Sequence, residues 1–192
     1  MYKNILNKIL LSKKPSEEIC KLIETREIDE IIPELLALRG FDQKTPYHDK
    51  DVFEHTMAVL DAVKPTLVLR MAALLHDIKK PECFTVDENG IGHFYGHHIK
   101  SAEESEKILK RLGYDEDFIE DVKILIRYHY IKAKNLKERG ISTYVDPVGL
   151  DRIDDLLELV RADKAGKPDN VDEDVVEKLR ELIIVYLRNG ED

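Results

Sequence analysis

The residues best suited to chemistry in this chain are its histidines and two aspartates that accompany them. Seven histidines occur: His48, His55, His76, His93, His97, His98 and His129. Asp77 directly follows His76 in Leu74-Leu75-His76-Asp77-Ile78-Lys79-Lys80-Pro81, and Asp163 lies in Val160-Arg161-Ala162-Asp163-Lys164-Ala165. Neighbouring side chains on a helix point roughly 100° apart, so His76 and Asp77 do not share one helix face. Near a helix end, however, an imidazole and a carboxylate can bracket one ion, and the second carboxylate oxygen remains available for another. Imidazole and carboxylate form a hard-to-borderline donor set, suited to Fe, Mn, Co, Ni, Zn or Mg rather than to thiolate-loving ions.

The elements that must position these groups read as almost entirely helical. Ile5, Leu6, Ile9 and Leu10 predict a helix over 2–11, and Pro15 or Ser16 starts a second through Ile19, Leu22 and Ile23. A short helix is predicted over 28–38 with Gly40 as its cap, and then a loop over 41–50. The next helix, 51–63, carries His55, and Pro65 opens the one that ends in His76-Asp77. Phe84-Thr85-Val86 and Ile91-Gly92-His93-Phe94, joined by Asp87-Glu88-Asn89-Gly90, read as a small β-hairpin or an ordered loop at about 84–94. Helices follow at 97–112, closed by Gly113, and at 115–130, with Asp115 as N-cap. Residues 131–149 hold one helical turn or two. Helices at 150–165 and 172–188 close the chain, separated by Lys167-Pro168-Asp169-Asn170, with Asn170 or Asp172 as a cap for the last. The predicted class is all-α.

On this reading His55, His76, His97 and His129 fall on or at the ends of four successive helices, and Asp163 near the end of a fifth. A helical bundle that points such groups inward builds a metal site. Spacing alone leaves a plainer reading open, in which these histidines cap helices or face solvent and Asp163 pairs with Arg161 or Lys164. His48 and His93 are read as loop histidines.

Composition sets the outer bounds. The chain has 192 residues, 43% hydrophobic and 36% charged, which describes one domain, or one with a small appendage, under a heavily charged surface. A formal charge of −9 argues against broad non-specific nucleic-acid binding, which needs a basic surface. No apolar run is long enough to span a membrane, and Met1-Tyr2-Lys3-Asn4-Ile5 lacks a signal-peptide core. Cys20 and Cys83 have no metal-binding spacing, so a reduced, cytoplasmic setting is expected.

The order His55…His76-Asp77…Asp163 resembles the HD superfamily of metal-dependent phosphohydrolases. Further landmarks are Lys8-Ile9-Leu10-Leu11-Ser12-Lys13-Lys14-Pro15-Ser16, Ile32-Pro33-Glu34-Leu35, Tyr47-His48, Asp51-Val52-Phe53-Glu54-His55-Thr56, Ala72-Ala73-Leu74-Leu75-His76-Asp77-Ile78-Lys79-Lys80-Pro81 and His93-Phe94-Tyr95-Gly96-His97. Together they resemble the carboxy-terminal part of bacterial tRNA nucleotidyltransferases and poly(A)-polymerase-like enzymes. The resemblance implies an N-terminal helical segment over 1–40, similar to the end of an RNA-binding region, and an HD domain with its C-terminal helix over 41–192. It implies His55, His76, Asp77 and Asp163 as ligands of one ion. His97 and His129 then serve a second ion, with Asp77 bridging, and His98 stands beside the ligands. Lys79 replaces the usual Gly after His-Asp-Ile, and Ser101-Ala102 the usual Gly-Ala pair; neither departure removes a ligand. No Gly-Ser pair with spaced carboxylates and no Gly-rich phosphate loop occurs, so nucleotide addition by this chain alone is not expected.

The implied activity is hydrolysis of a phosphomonoester or phosphodiester with one or two divalent ions, on a nucleotide, a 2′,3′-cyclic phosphate or an RNA 3′ end. Such ions polarise a phosphoryl oxygen and lower the pKa of bound water. Asp77, Lys80 and Arg127 are the expected catalytic residues, Lys80 foremost and Arg127 next as phosphate-orienting charges, followed by Lys132. The basic excess of Lys123, Arg127, Lys132, Lys134, Lys137 and Arg139 against Glu138 either guides an anionic substrate or is a solvated helix face. Two other readings stand beside this one: a non-catalytic tRNA- or RNA-binding appendage to a separate nucleotidyltransferase chain, and oxygen chemistry at two irons.

Overall fold

The computed structural model describes residues 1–44, 50–131, 137, 140–165 and 173–189. His48 and Lys132, with Lys134, Arg139, Asn170 and Asp172, lie outside the described residues. The architecture is all-α with one small hairpin. The elements are α1 (Tyr2–Leu10), α2 (Pro15–Glu24), α3 (Ile28–Ile31), a 3₁₀ helix (Pro33–Leu38), α4 (Val52–Ala62), α5 (Leu67–Leu75), a 3₁₀ turn (Pro81–Cys83), β1 (Phe84–Val86), β2 (Gly92–Phe94), α6 (His97–Leu112), α7 (Glu116–Tyr128), α8 (Ser142–Val148), α9 (Leu150–Ala165) and α10 (Glu173–Asn189).

The centre is α5, in which every residue from Leu69 to Leu75 is buried. A helix apolar on all sides must be surrounded, and α5 packs against α1, α4, α6, α7 and α9. Arg70 is the exception in chemistry but not in burial. Its Nη1 donates to the Leu10 and Ser12 carbonyls at 2.5 and 2.6 Å, satisfying the C-terminal end of α1. One continuous apolar cluster runs from Leu6 and Leu10 through α5 and α7 to Leu179 and Ile183 of α10.

Local chemistry fixes where the helices that carry the histidines begin and end. Asp51 and Glu54 form a reciprocal capping box at the start of α4, with Asp51 Oδ1 accepting from the Glu54 amide at 2.7 Å and Glu54 Oε2 from the Asp51 amide at 3.1 Å. Asp115 Oδ1 accepts from the Phe118 amide at 3.0 Å to start α7, and Gly113 ends α6 in the left-handed region at φ 80°. Two predicted elements differ. The helix over 28–38 breaks at Pro33 into α3 and a 3₁₀ segment, because proline has no amide for the ladder. The helix ending at His76-Asp77 begins at Leu67, with Thr66 rather than Pro65 at its N-cap. The predicted hairpin forms in the register Phe84↔Phe94, Thr85↔His93, Val86↔Gly92.

Candidate metal centre

Three of the four helix-borne histidines sit where a helix meets its flanking turn. His55 lies one turn into α4, His76 caps the C-terminus of α5, His97 opens α6 and His129 caps the C-terminus of α7. The last three share a device. His76 Nδ1 lies 2.8 Å from the Ala73 carbonyl, His97 Nδ1 2.7 Å from that of Phe94, and His129 Nδ1 2.6 Å from that of Ile126. In each case the acceptor is three residues earlier. A carbonyl can only accept, so each Nδ1 carries the proton and each neutral ring leaves the lone pair on Nε2. Such outer bonds fix ring orientation and tautomer in metal-ligating histidines.

The Nε2 atoms converge on two aspartates. His55 Nε2 is 2.9 Å from Asp163 Oδ1 and 4.0 Å from Asp77 Oδ2. His76 Nε2 is 3.4 Å from Asp77 Oδ2 and 3.8 Å from Asp163 Oδ1. The other oxygen of Asp77, Oδ1, faces His97 Nε2 at 3.4 Å. Two buried donor groups result: His55, His76, Asp77 and Asp163 offer atoms all within 4.8 Å of one another, and so do Asp77, His97 and His129. Asp77 belongs to both, with one oxygen turned to each side.

The donors fit a divalent cation. They are nitrogen and oxygen only, and neither cysteine belongs to a group. Two acceptor atoms buried in the cluster, His76 Nε2 and Asp77 Oδ1, have no hydrogen-bond partner, a costly state for groups removed from water. Two carboxylates are also held in an almost dry site, with Asp77 2% and Asp163 4% exposed. The cation seen to bond Asp77 is Lys80, 5% exposed, whose Nζ donates to Oδ2 at 3.0 Å and lies 5.0 Å from the centre of the Phe94 ring.

Burial and neighbouring charge set the protonation of the site. Burial alone would raise the Asp77 pKa, but Lys80 and His76 outweigh it and hold the carboxyl well below its ordinary range. Burial likewise opposes a charge on His76, and the Asp77 carboxylate more than offsets it, so that ring is pushed up. His55 and His97 are pushed down, chiefly by burial, and His129 falls to about 3 for the same reason with His76 adding to it. Burial, then His97 and Arg127, takes His98 to about 4.

The structure thus brings His55, His76, Asp77, His97, His129, Asp163 and Lys80 together. Arg127 is not among them: it is exposed on α7, near enough for its charge to act on His98. His93 lies on β2 with Nε2 3.0 Å from Asp87 Oδ2. Several contributors were not anticipated from sequence. The carbonyls of Ala73, Phe94 and Ile126 leave no trace in residue type, and neither does the Lys80–Asp77 pair. The capping box was legible as Asp51-x-x-Glu54 just before an apolar run.

An all-α bundle whose buried centre gathers histidines and aspartates from successive helices has the arrangement from which helical bundles can build a metal site. The chain matches the model of the HD domain over residues 47–161 and belongs to that family. It is 30% identical over 169 residues to the Multifunctional CCA protein of Aromatoleum aromaticum, covering 83% of this chain and 41% of the relative. It is 32% identical over 133 residues to the A-adding tRNA nucleotidyltransferase of Deinococcus radiodurans, covering 66% of this chain and 30% of the relative. A further Multifunctional CCA protein, from Dechloromonas aromatica, is 29% identical over 172 residues. The chain spans less than half the length of these curated relatives. Among the described residues no helix is long and apolar enough to cross a membrane.

Proposed function

We propose that this protein is a metal-dependent phosphohydrolase that acts on a nucleotide, a 2′,3′-cyclic phosphate or an RNA 3′ end. The observation that carries the reading is the pair of buried donor groups that share Asp77. On this reading His55, His76, Asp77 and Asp163 hold one divalent ion, and Asp77, His97 and His129 a second, drawn from Mn, Fe, Co, Ni, Mg or Zn. An ion held there supplies Lewis acidity to a phosphoryl oxygen and acidifies water. The chain's own residues do the rest. The carbonyl-anchored rings of His76, His97 and His129 present Nε2 without reorganisation. Lys80 holds positive charge beside Asp77, where it also meets an incoming phosphate oxygen, and Arg127 contributes charge from the exposed side of α7.

Metal analysis of protein purified without chelators, followed by a metal-by-substrate screen of wild type and Asp77→Ala, tests the proposal. One or two ions per chain, with ester turnover that disappears in the variant, is the expected result. Protein that neither contains nor takes up a divalent ion sinks it. The similarity to an A-adding tRNA nucleotidyltransferase supports a second reading, a non-catalytic tRNA-binding unit that works with a separate transferase chain. A tRNA gel shift at low salt, with co-purification of a transferase, would favour it; failure of both removes its basis.

A further inference from the structure

At the His97–His129 end of the cluster, Tyr130 lies between the buried imidazoles and solvent. Tyr130 directly follows His129, and its ring meets that of His97 edge-on, with centroids 4.8 Å apart, and lies 6.5 Å from that of His129. His97 and His129 are 3% and 1% exposed, whereas Tyr130 is 40% exposed. The ring is also held in place: His98, in the first turn of α6, stacks on it at 5.6 Å and 27°. Arg127, one turn earlier on α7, adds an exposed guanidinium whose charge reaches His98.

Tyr130, His98 and Arg127 lie outside both donor groups, so holding an ion does not account for them. They present a partly exposed aromatic ring backed by an imidazole, with a guanidinium on the same side of α7, beside a site read as acting on phosphate esters. A sugar phosphate has no π face to set against such a ring. A nucleoside phosphate has one in its base, and stacking of bases on aromatic side chains tolerates any base. We propose that Tyr130, pinned by His98, stacks on the base of a nucleoside phosphate whose ester group lies at the metal centre. Tyr130 is then the residue that selects nucleotides or RNA ends over small sugar phosphates. The inference rests on the phosphohydrolase reading above.

The test uses the full chain loaded with Mn²⁺ and compares kcat/KM for AMP, for a short oligoribonucleotide ending in a 2′,3′-cyclic phosphate, and for ribose 5-phosphate. Tyr130→Ala is expected to lower the ratio of nucleotide to ribose 5-phosphate about tenfold or more, chiefly through KM, the size expected for one lost stack. Tyr130→Phe keeps the ratio, and His98→Ala lowers it in part. Whichever of AMP and the oligoribonucleotide shows the larger fall identifies the form of the substrate. An unchanged ratio in Tyr130→Ala, or a Phe variant as impaired as the Ala variant, overturns the proposal. Equilibrium dialysis of AMP against ribose 5-phosphate separates this from the hydrolase reading. If wild type turns over no ester, that reading fails, while preferential retention of AMP that Tyr130→Ala abolishes still supports the stack. Equal retention of both ligands refutes it.

Discussion

Asp77 turns Oδ2 toward His55, His76 and Lys80 and Oδ1 toward His97, so a single carboxylate serves both sides of the cluster. The groups flanking it are otherwise separate, which makes the number of ions a question of which residue is removed. If two ions bind, His55→Ala and His97→Ala each lower the metal content by about one ion per chain, and Asp77→Ala abolishes both. Elemental analysis reads this directly; a wild type that holds one ion and is indifferent to His97→Ala reduces the site to the four-donor group. Lys80 supports a second expectation. Removing one partner of a buried ion pair leaves an uncompensated charge and costs about 3–5 kcal/mol, less whatever Asp77 recovers by taking up a proton. Lys80→Met is therefore expected to unfold at lower urea than wild type in EDTA, and to regain much of the difference in Mn²⁺, which restores positive charge beside Asp77. Equal stability in EDTA would count against the pairing. Of this residue-scale detail, the grouping of these six residues was expected from the resemblance to the HD family, since helix spacing alone left capping and surface roles open. The i−3 carbonyl anchors and the Lys80 pairing were not, because a backbone acceptor has no side-chain signature and Lys80 read equally well as a solvated lysine.

The elements hold these residues by their ends. The hairpin presents the Phe94 carbonyl that orients His97, and is itself pressed against residues 43 and 44, with the Gly92 amide donating to the Lys44 carbonyl at 2.7 Å. A Cβ on Gly92 would lie 2.1 Å from the Gln43 carbonyl oxygen and 2.7 Å from the Phe84 ring. Backbone cannot yield as a flexible side chain can, so Gly92→Ala must shift the hairpin, at about 1–3 kcal/mol. It should also loosen His97 while leaving His55 and Asp163 in place. The measurement is metal affinity by competition with a chelator, in which the weaker ion is affected first; an unchanged titration with normal stability would show the contact to be soft. At this scale sequence reading agreed with the structure where apolar periodicity ran into a cap residue, as for α6 with Gly113 and α7 with Asp115. It erred over 28–38, where the apolar pattern continues across Pro33 although the amide ladder cannot.

Across the whole molecule, the first forty residues share the apolar core of the rest and are tied to it by polar contacts at several points. Arg70 of α5 caps α1, Tyr114 after α6 bonds Asn7, and Lys3 Nζ donates to the Gly113 carbonyl at 3.1 Å. A partly exposed tie is Arg111 at the end of α6, which meets both oxygens of Glu34 at 2.6 and 3.0 Å and the Ile31 carbonyl at 3.2 Å. Partial burial works against the Glu34 charge, yet the Arg111 bonds outweigh it and hold its pKa below the ordinary 4.5. A carboxyl depressed on folding contributes stability above its unfolded pKa and loses it as the pH falls through the folded value. Arg111 is about half exposed, so screening limits the bridge to about 1 kcal/mol. Arg111→Ala should therefore lower the urea midpoint at pH 7 by an amount of that order. The gap between variant and wild type should stay constant down to about pH 5 and shrink below 4.5, as Glu34 takes up its proton in both. Urea titrations across that range check the sign. A gap that persists undiminished at pH 3 would mean that Arg111 acts through its packing and its bond to Ile31, with no contribution from the Glu34 charge.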